Sequence, residues 1–587
     1  MKAIASAWAI QVLTLMPIIG ICQDEPFLRT ELNRKPVATN NRYYLAHPFD
    51  IEYGRDNFLY ITEKVGRILR VDTGTGQRTI ILDLRAKVKL NISRQGNGVA
   101  TGIGQNGMLG MALHPGFATG TGKDSLYVAY CYDWDHIRIA RFYFNGTVLV
   151  PGSETTILEG IPASGDHSSG RLIIGADNKL YYSCGDLGHN QFDRKCLEVR
   201  SQKLPTSTEM TAKNYDNYSG KILRISLNGG IPADNPLWGG IRSHIYSIGH
   251  RNPQGLAWQK EPSNGVPFPV LTPNGILFSS EQGPNSDDEL NIIEGGRNYG
   301  WPYIAGDTDN VNFQYVQWRL ATNCSGLGFQ ENPNYVPAGV TPIAEKNAPA
   351  DVKANFRKPL KQIYTGCGTR PAAECALVGN WLKFPTIAPS SIEYYNLNIS
   401  KGIPGWYPSV LVPTLKAGTL YRFKLNAAQN AFVGDSIPYF KSYNRYRDIA
   451  MSPDGKIFLI TDSVGSTSGP SSHNPATLDN PGALLVFQYI GMPLSLKDPN
   501  EPGPENPLRI TVAPNPARDF IHVDFGRLPY KPVRYQLYDM LGRLAVEGSS
   551  STAAFTIQVA QLRRGMYVLK LLNRYGAELR MDKILLQ

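Results

Sequence analysis

The stretch DNFLYITEKVGRILRVD (56–72) sets a polar turn before an aromatic and β-branched strand, and its pattern returns through most of the chain. Variants of it are DSLYVAYCYDWDHIRIARF (124–142), DNKLYYSCGD (177–186), GILFSSEQGP (275–284), GTLYRFKL (418–425) and DGKIFLITD (454–462). Imperfect repeats of one such unit predict small antiparallel sheets repeated radially, an all-β propeller. An array of β-sandwiches is the other architecture they allow. The spacing is irregular, so long loops are inserted between strands, and such loops build a site on one face.

At 587 residues, with Gly 57, Pro 42, Tyr 31 and 18% charged residues, the chain reads as turn-rich and β-rich, long enough for one large unit plus an appendage. Its formal charge is +10, but the basic residues are scattered without a run, so a nucleic-acid groove is not expected. A small polyanion held by a few particular basic residues remains compatible with that distribution.

The N-terminal MKAIASAWAIQVLTLMPIIGICQ (1–23) has one lysine, an apolar run and small or polar residues near its end, so it is expected to be a cleaved export signal. A membrane anchor needs roughly 20 apolar residues, and Gln11, Thr14 and Pro17 interrupt the run. No transmembrane span is therefore expected in the mature chain. Cleavage leaves Cys131, Cys184, Cys196, Cys324, Cys367 and Cys375, which an oxidising compartment would pair. Cys184/Cys196 and Cys367/Cys375 are close enough in sequence to close loops, although spacing does not choose among pairings; the absence of CxxC argues against zinc.

The strand pattern stops near Tyr489. Residues 491–508 (GMPLSLKDPNEPGPENPL) have the composition of an extended linker, and 509–587 alternates apolar and polar residues as a small antiparallel β-sandwich does. Through APNPARD (513–519), YDMLGR (538–543), GMYVLK (565–570) and the closing DKILLQ, this piece resembles the sorting domain of the type IX secretion system. The resemblance implies passage through the periplasm, with the type IX machinery as partner and a secreted or cell-surface product.

A polar cluster interrupts the strand pattern at GHRNPQG (249–255) and SSEQGPNSDDELN (279–291), where Gly and Pro turns gather a histidine, an arginine, amides and acids. Such a cluster marks a site. Over 30–490 the chain resembles the soluble pyrroloquinoline-quinone-dependent glucose dehydrogenases, through GQNGMLGMALHPGF (104–117), DHSSGRLIIG (166–175), LYYSCGDLGHNQ (180–191), SHIYSIGHRNPQGLAW (243–258), SSEQGPNSDDELNII (279–293), PTIAPSS (385–391) and KSYNRYRDIAMSPDG (441–455). The resemblance implies a six-bladed propeller that oxidises aldose sugars at C1 to lactones with pyrroloquinoline quinone (PQQ) and Ca²⁺, passing electrons to an external acceptor.

Removing the hydroxyl proton as hydride leaves carbon calls for a base near neutrality, which a histidine in a Gly/Ser-rich loop supplies. The resemblance gives that role to His167, with Asp186 orienting its ring and Arg251 stabilising negative charge that develops on the quinone. It places Gln105 and Asn252 at the cofactor's polar edge, and Lys416, Arg445, Arg447 and Thr386 at its carboxylates. In an extended NRYRD segment, Arg445 and Arg447 share a face. Gly283 and Pro284 are expected to offer carbonyl oxygens to the Ca²⁺ beside the quinone, since hard cations take oxygen ligands. Glu289, Tyr299, Ala305, Asp309 and Glu345 match positions binding structural calcium at a dimer interface, so a homodimer is a further expectation.

For the sugar, the resemblance implies Gln105, Asp166, Gln282, Trp381 and Phe384. Trp381 and Phe384 stand where the family's model enzymes carry a tyrosine and a tryptophan, so stacking is kept but a hydroxyl is lost and glucose specificity is open. The rival readings are a non-catalytic propeller binding carbohydrate or protein, of the Hedgehog-interacting-protein kind, and a calcium-dependent hydrolase or lactonase. The first has no physical need for a base beside a polyanion pocket, and the second lacks an evident pair of catalytic carboxylates.

Overall fold

The computed structural model describes residues 27–32, 44–94, 100–263, 268–284, 286–311, 313–328, 334–363, 386–398, 402–465, 478–490, 510–525, 533–539, 543–572 and 578–587. Trp381, Phe384, Cys367, Cys375 and the segments 1–23 and 491–508 lie outside the described residues. The chain divides into two compact units, Met1–Ser495 and Leu496–Gln587.

Turn-then-strand phrases become four-stranded antiparallel sheets, six of them in the first unit. The first comprises Pro48–Tyr53, Phe58–Glu63, Arg67–Asp72 and Arg78–Asp83, the second Met108–Leu113, Ser125–Cys131, His136–Tyr143 and Thr155–Pro162. The third runs through Ser169–Ile174, Lys179–Cys184, Lys221–Ser226 and Ile245–Ile248, and the fourth through Pro253–Trp258, Leu277–Glu281, Asp288–Ile293 and Lys361–Ile363. The fifth contains Glu393–Tyr395, Ser409–Pro413, Leu420–Lys424 and Ile437–Tyr439. The sixth orders Tyr446–Met451, Ile457–Thr461 and Leu484–Tyr489 and takes its outer strand from the far end of the chain, Phe27–Glu31, with Phe27 opposite Tyr489 and Glu31 opposite Leu485.

Each sheet buries apolar side chains against both neighbours. Met108 and Tyr60 share a cluster between the first and second sheets, Leu172 and Ile139 between the second and third, and Tyr181 and Leu256 between the third and fourth. Phe278 and Tyr394 join the fourth and fifth, Leu411 and Ile449 the fifth and sixth, and Phe458 and Leu59 the sixth and first. Six clusters in cyclic order close a propeller-like ring. Its inner strands meet backbone to backbone: a Cβ added at Gly110 would stand 2.4 Å from the Gly170 carbonyl oxygen, and one at Gly255 2.6 Å from the Ile392 amide.

A buried cation, Arg171, joins several sheets of this ring. Arg171 Nη1 lies 2.9 Å from Asp50 Oδ2 and 2.7 Å from Asp448 Oδ2, its Nε donates to the Gln254 carbonyl, and its Nη2 donates to the Ser390 carbonyl. The two carboxylates accept in turn from the amides of Met111 and Ile51. Burial pushes Asp50 up to about 7 against the pull of Arg171.

Helix is scarce among the described residues: two five-residue α-helices, Ser207–Thr211 and Ala350–Ala354, and short 3₁₀ turns. No described helix is long and apolar enough to cross a membrane. In the second unit a three-stranded sheet (Thr511–Ala513, Phe520–Asp524, Ala554–Gln558) and a four-stranded sheet (Leu544–Ser550, Val533–Asp539, Gly565–Leu572, Glu578–Leu586) share one apolar core that includes Ile521, Val523, Leu537 and Leu569.

The short-range pairing of Cys184 with Cys196 does not form. Cys196 is bonded to Cys324, 128 residues on, while Cys184 ends a strand with its thiol in the apolar core between the second and third sheets.

Replacing Arg171 by leucine leaves two buried carboxylates without their cation, and should lower stability by about 3 kcal/mol or more. Urea denaturation of the variant beside the parent chain measures this.

Candidate active site

A strand–turn rule gathers the site. In each four-stranded sheet, the segment entering the first strand and the turn between the second and third strands emerge at the same end of the ring. His167 and Arg251 enter first strands, Asp186, Gln282 and Lys416 sit in second-to-third turns, and Gln105, Thr386 and Arg445 follow the same pattern. Of the residues singled out from sequence, Gln105, Gln282, Arg445 and Arg447 line a cavity of about 370 Å³ together with Lys64 and Asp462, and Asp166 and Asn252 adjoin it through hydrogen bonds to Gln105 and Gln282.

His167 is 6% exposed, with a left-handed backbone at φ 46°. Its Nδ1 lies 2.7 Å from Asp186 Oδ1, and the other carboxylate oxygen of Asp186 accepts from the Trp301 indole at 2.8 Å. Burial would raise Asp186, but the charge and hydrogen bond of His167, the charge of Arg251 and the Gly188 amide hold it below the usual range. The other ring nitrogen, Nε2, hydrogen-bonds with Gln191 Nε2 at 3.3 Å and lies 3.7 Å from Asp166 Oδ1.

Gln191 links these groups. Its amide donates to Asp166 Oδ2 at 2.6 Å and its carbonyl accepts from Arg251 Nη2 at 3.1 Å, while Gln105 donates to Asp166 Oδ1 at 2.8 Å. Arg251 Nη1 donates to the carbonyls of Gln282 and Gly283, at 3.1 and 2.8 Å. Its buried Nε has no partner among the described residues, and burial lowers its affinity for the proton. Asn252 donates to Gln282 Oε1 and Gln105 Oε1, and accepts from Ser169 and Gln254.

On the basic side of the cavity, Arg445 and Arg447 both turn to Asp462, with Nε to carboxylate distances of 3.2 and 2.8 Å, as same-face side chains should. Burial opposes ionisation of Asp462, but the two arginines and Lys64 hold it down at about 2. Lys416 Nζ donates to Thr386 Oγ1 at 2.8 Å. Lys64, Asp462 and Gln191 were not singled out from the sequence. All three lie in the entry segments or second-to-third turns, or their insertions, so the signal was the place of a polar residue relative to its strand.

In the set Glu289, Tyr299, Ala305, Asp309 and Glu345, each side-chain carboxylate accepts from nearby amides. Glu345 accepts from the amides of Ala305 and Asn310, and Glu289 from the Gly306 amide and Asn291. Asp309 accepts from Val311, and the Tyr299 hydroxyl donates to the Ile292 carbonyl. Burial raises Glu289 well above its usual value and pushes Glu345 up to about 8. Among the described residues, no group of three or more His, Cys, Asp or Glu is placed to hold a metal.

A sequence model described as "Glucose / Sorbosone dehydrogenase" matches residues 45–319 and 368–468, and one described as "Secretion system C-terminal sorting domain" matches 511–586. The chain is 36% identical to quinoprotein glucose dehydrogenase B of Acinetobacter calcoaceticus over 505 residues, 83% of this chain and 98% of that one. It is 24% identical to aldose sugar dehydrogenase YliI of Escherichia coli over 427 residues, 71% of this chain and 88% of that one. Among solved structures, the PQQ-bound aldose sugar dehydrogenase of Streptomyces coelicolor aligns at 23% identity with a TM-score of 0.47, over 79% of this chain and 98% of that one. The chain belongs to the glucose/sorbosone dehydrogenase family. It is a sugar dehydrogenase, and its sorting domain marks it for export and sorting to the cell surface.

Asp462→Asn tests the electrostatics of the basic side. A carboxyl held near 2 against an ordinary value near 4 contributes about 2 kcal/mol. That contribution is full above about pH 4 and is lost as pH falls towards 2, so the gap in urea midpoint between parent and variant should be wide at neutrality and shrink on acidification.

Proposed function

We propose that the first unit is a six-bladed β-propeller quinoprotein that oxidises the C1 hydroxyl of aldoses to the lactone. The observation that carries this reading is the His167–Asp186 pair held beside a polar cavity whose basic side chains suit a small polycarboxylate. PQQ when bound would supply the hydride acceptor, and Ca²⁺ would act on it as a Lewis acid.

The chain's own residues supply the rest. With Nδ1–H donated to Asp186, the lone pair of His167 is at Nε2, on the edge facing Asp166 and Gln191. There it takes the C1 hydroxyl proton as the sugar is oxidised, and Asp186 stabilises the imidazolium. Asp166, Gln105 and Gln282 offer hydrogen bonds to sugar hydroxyls, with Trp381 and Phe384 as an aromatic platform. Arg251 stabilises negative charge at the reacting edge of the quinone, and Asn252 fixes its polar rim. Lys416, Thr386, Arg445 and Arg447 would hold its carboxylates. The fit is supported by buried guanidiniums at the cavity and by the partnerless Nε of Arg251.

Gly283 and Pro284 would offer carbonyls to the Ca²⁺; the Gly283 carbonyl is at present engaged by Arg251. Glu289, Asp309, Glu345 and the carbonyls of Tyr299 and Ala305 would form a structural calcium site at the interface of a homodimer. Electrons leave to an external acceptor. In this reading residues 1–23 are cleaved, 491–508 is a linker, and 509–587 is a β-sandwich handed to the type IX machinery, leaving a secreted or cell-surface enzyme.

Apoprotein given PQQ and Ca²⁺ should reduce a redox dye with aldoses only when both are present. His167→Ala should lower kcat by about 10³-fold or more while quinone binding persists, and Asp186→Asn, which offers the wrong hydrogen-bond pattern to Nδ1, should do nearly as much. Absence of quinone binding to the parent protein overturns the reading.

A further inference from the structure

Three basic side chains reach the cavity around one acid. Arg445 and Arg447 both pair with Asp462, and Lys64 has no hydrogen-bonded carboxylate among the described residues. Lys64 follows the strand Phe58–Glu63 and is 4% exposed. Its Nζ donates to the Gly104 carbonyl at 3.1 Å and lies 5.5 Å from the centre of the Phe49 ring. Its sequence neighbour Glu63 bonds instead with Arg67 and the Ala46 amide.

We propose that Lys64 is a further basic ligand for the carboxylates of the quinone cofactor, and that it takes up a proton from solvent as that polyanion enters. This rests on the quinone reading above. A lysine enclosed beside two guanidiniums is poorly hydrated and repelled, both of which favour the neutral amine. An arriving carboxylate reverses the balance: it attracts the ammonium, and Asp462 already offsets part of the charge of the two arginines.

The surroundings leave few other groups to exchange that proton. Burial, aided by Arg447 and Arg445, brings Lys64 down to about 7. Asp462 is held at about 2, and burial pushes the nearby Cys131 thiol up to about 12. Among the described residues lining this wall, the remaining titratable group is His47, whose Nδ1 meets the Ser463 hydroxyl.

Calorimetric titration of PQQ into Ca²⁺-saturated apoprotein, in two buffers of different ionisation enthalpy, reads the linked proton. The parent protein should take up about one proton per quinone near pH 8 and almost none near pH 6. Lys64→Arg should bind as tightly near pH 6 with no uptake at either pH. Lys64→Met should bind about tenfold or more weakly and show no uptake, with its thermal melt confirming that it folds. His47→Gln should keep the uptake. Tight binding without linked protons in the parent, uptake that survives in Lys64→Met, or uptake lost only in His47→Gln overturns the proposal while leaving the quinone reading intact. Failure of the parent to bind quinone at all overturns both.

Discussion

The guanidinium of Arg171 ties the third sheet directly to the first, fourth and sixth and to the segment entering the fifth, and reaches the second through Asp50. It arises on the third sheet and pairs with carboxylates from the first and sixth, which accept amides from the second and first. It donates to carbonyls of the fourth sheet and of the segment entering the fifth. Apolar clusters hold neighbours together two at a time and would tolerate a change in the number of sheets. A planar cation with a fixed fork of donors accepts only one arrangement of partners around it. Buried ion pairs add little net stability when intact, because desolvation offsets attraction. The partners of Arg171 lie on or beside the first strands of the sheets: Asp50, Gln254 and Asp448 within them and Ser390 just before one.

From there the site follows. Once the inner strands are in register, the segments leading into them and the neighbouring second-to-third turns project from one end, and those of the first, second, fourth and sixth sheets deliver polar residues to a common cavity. Residues as far apart in sequence as Lys64 and Asp462 become neighbours. The division of chemistry around the ring is also spatial: His167, Asp186 and Arg251 come from the third and fourth sheets, and the concentrated positive charge from the fifth, the sixth and the first.

Much of this was legible in the chain. The turn-and-strand phrases correspond to second and third strands of sheets, because aromatic and β-branched residues between Gly or Asp turns have few other stable forms. His167, Asp186, Arg251, Asn252, Arg445 and Arg447 fall together because whole phrases, not single residues, pointed to them. What was not legible depended on distant partners. Lys64 lies within the opening phrase DNFLYITEKVGRILRVD, where a lysine reads as a solvated turn until the ring brings Arg445 and Arg447 beside it. Cys196 finds Cys324 across an insertion whose path no spacing rule gives. Arg171 inside DHSSGRLIIG looks like a strand residue of ordinary polarity, since its carboxylates come from opposite ends of the propeller-like unit. The aromatic pair at 381 and 384 lies outside the described residues.

The outer strand of the sixth sheet has a consequence for biogenesis. Phe27–Glu31 pairs with Leu485–Tyr489, and Phe27 packs its ring against Trp406, Tyr439, Phe440 and Tyr489. Phe27–Glu31 thus completes the last sheet of the ring, as a clasp between two distant parts of the first unit. A chain still threading through a translocation channel holds its head and the tail of its first unit on different sides of a membrane, and the clasp cannot shut. Assembly of the finished ring, and with it the cavity at its end, belongs to the compartment that receives both ends.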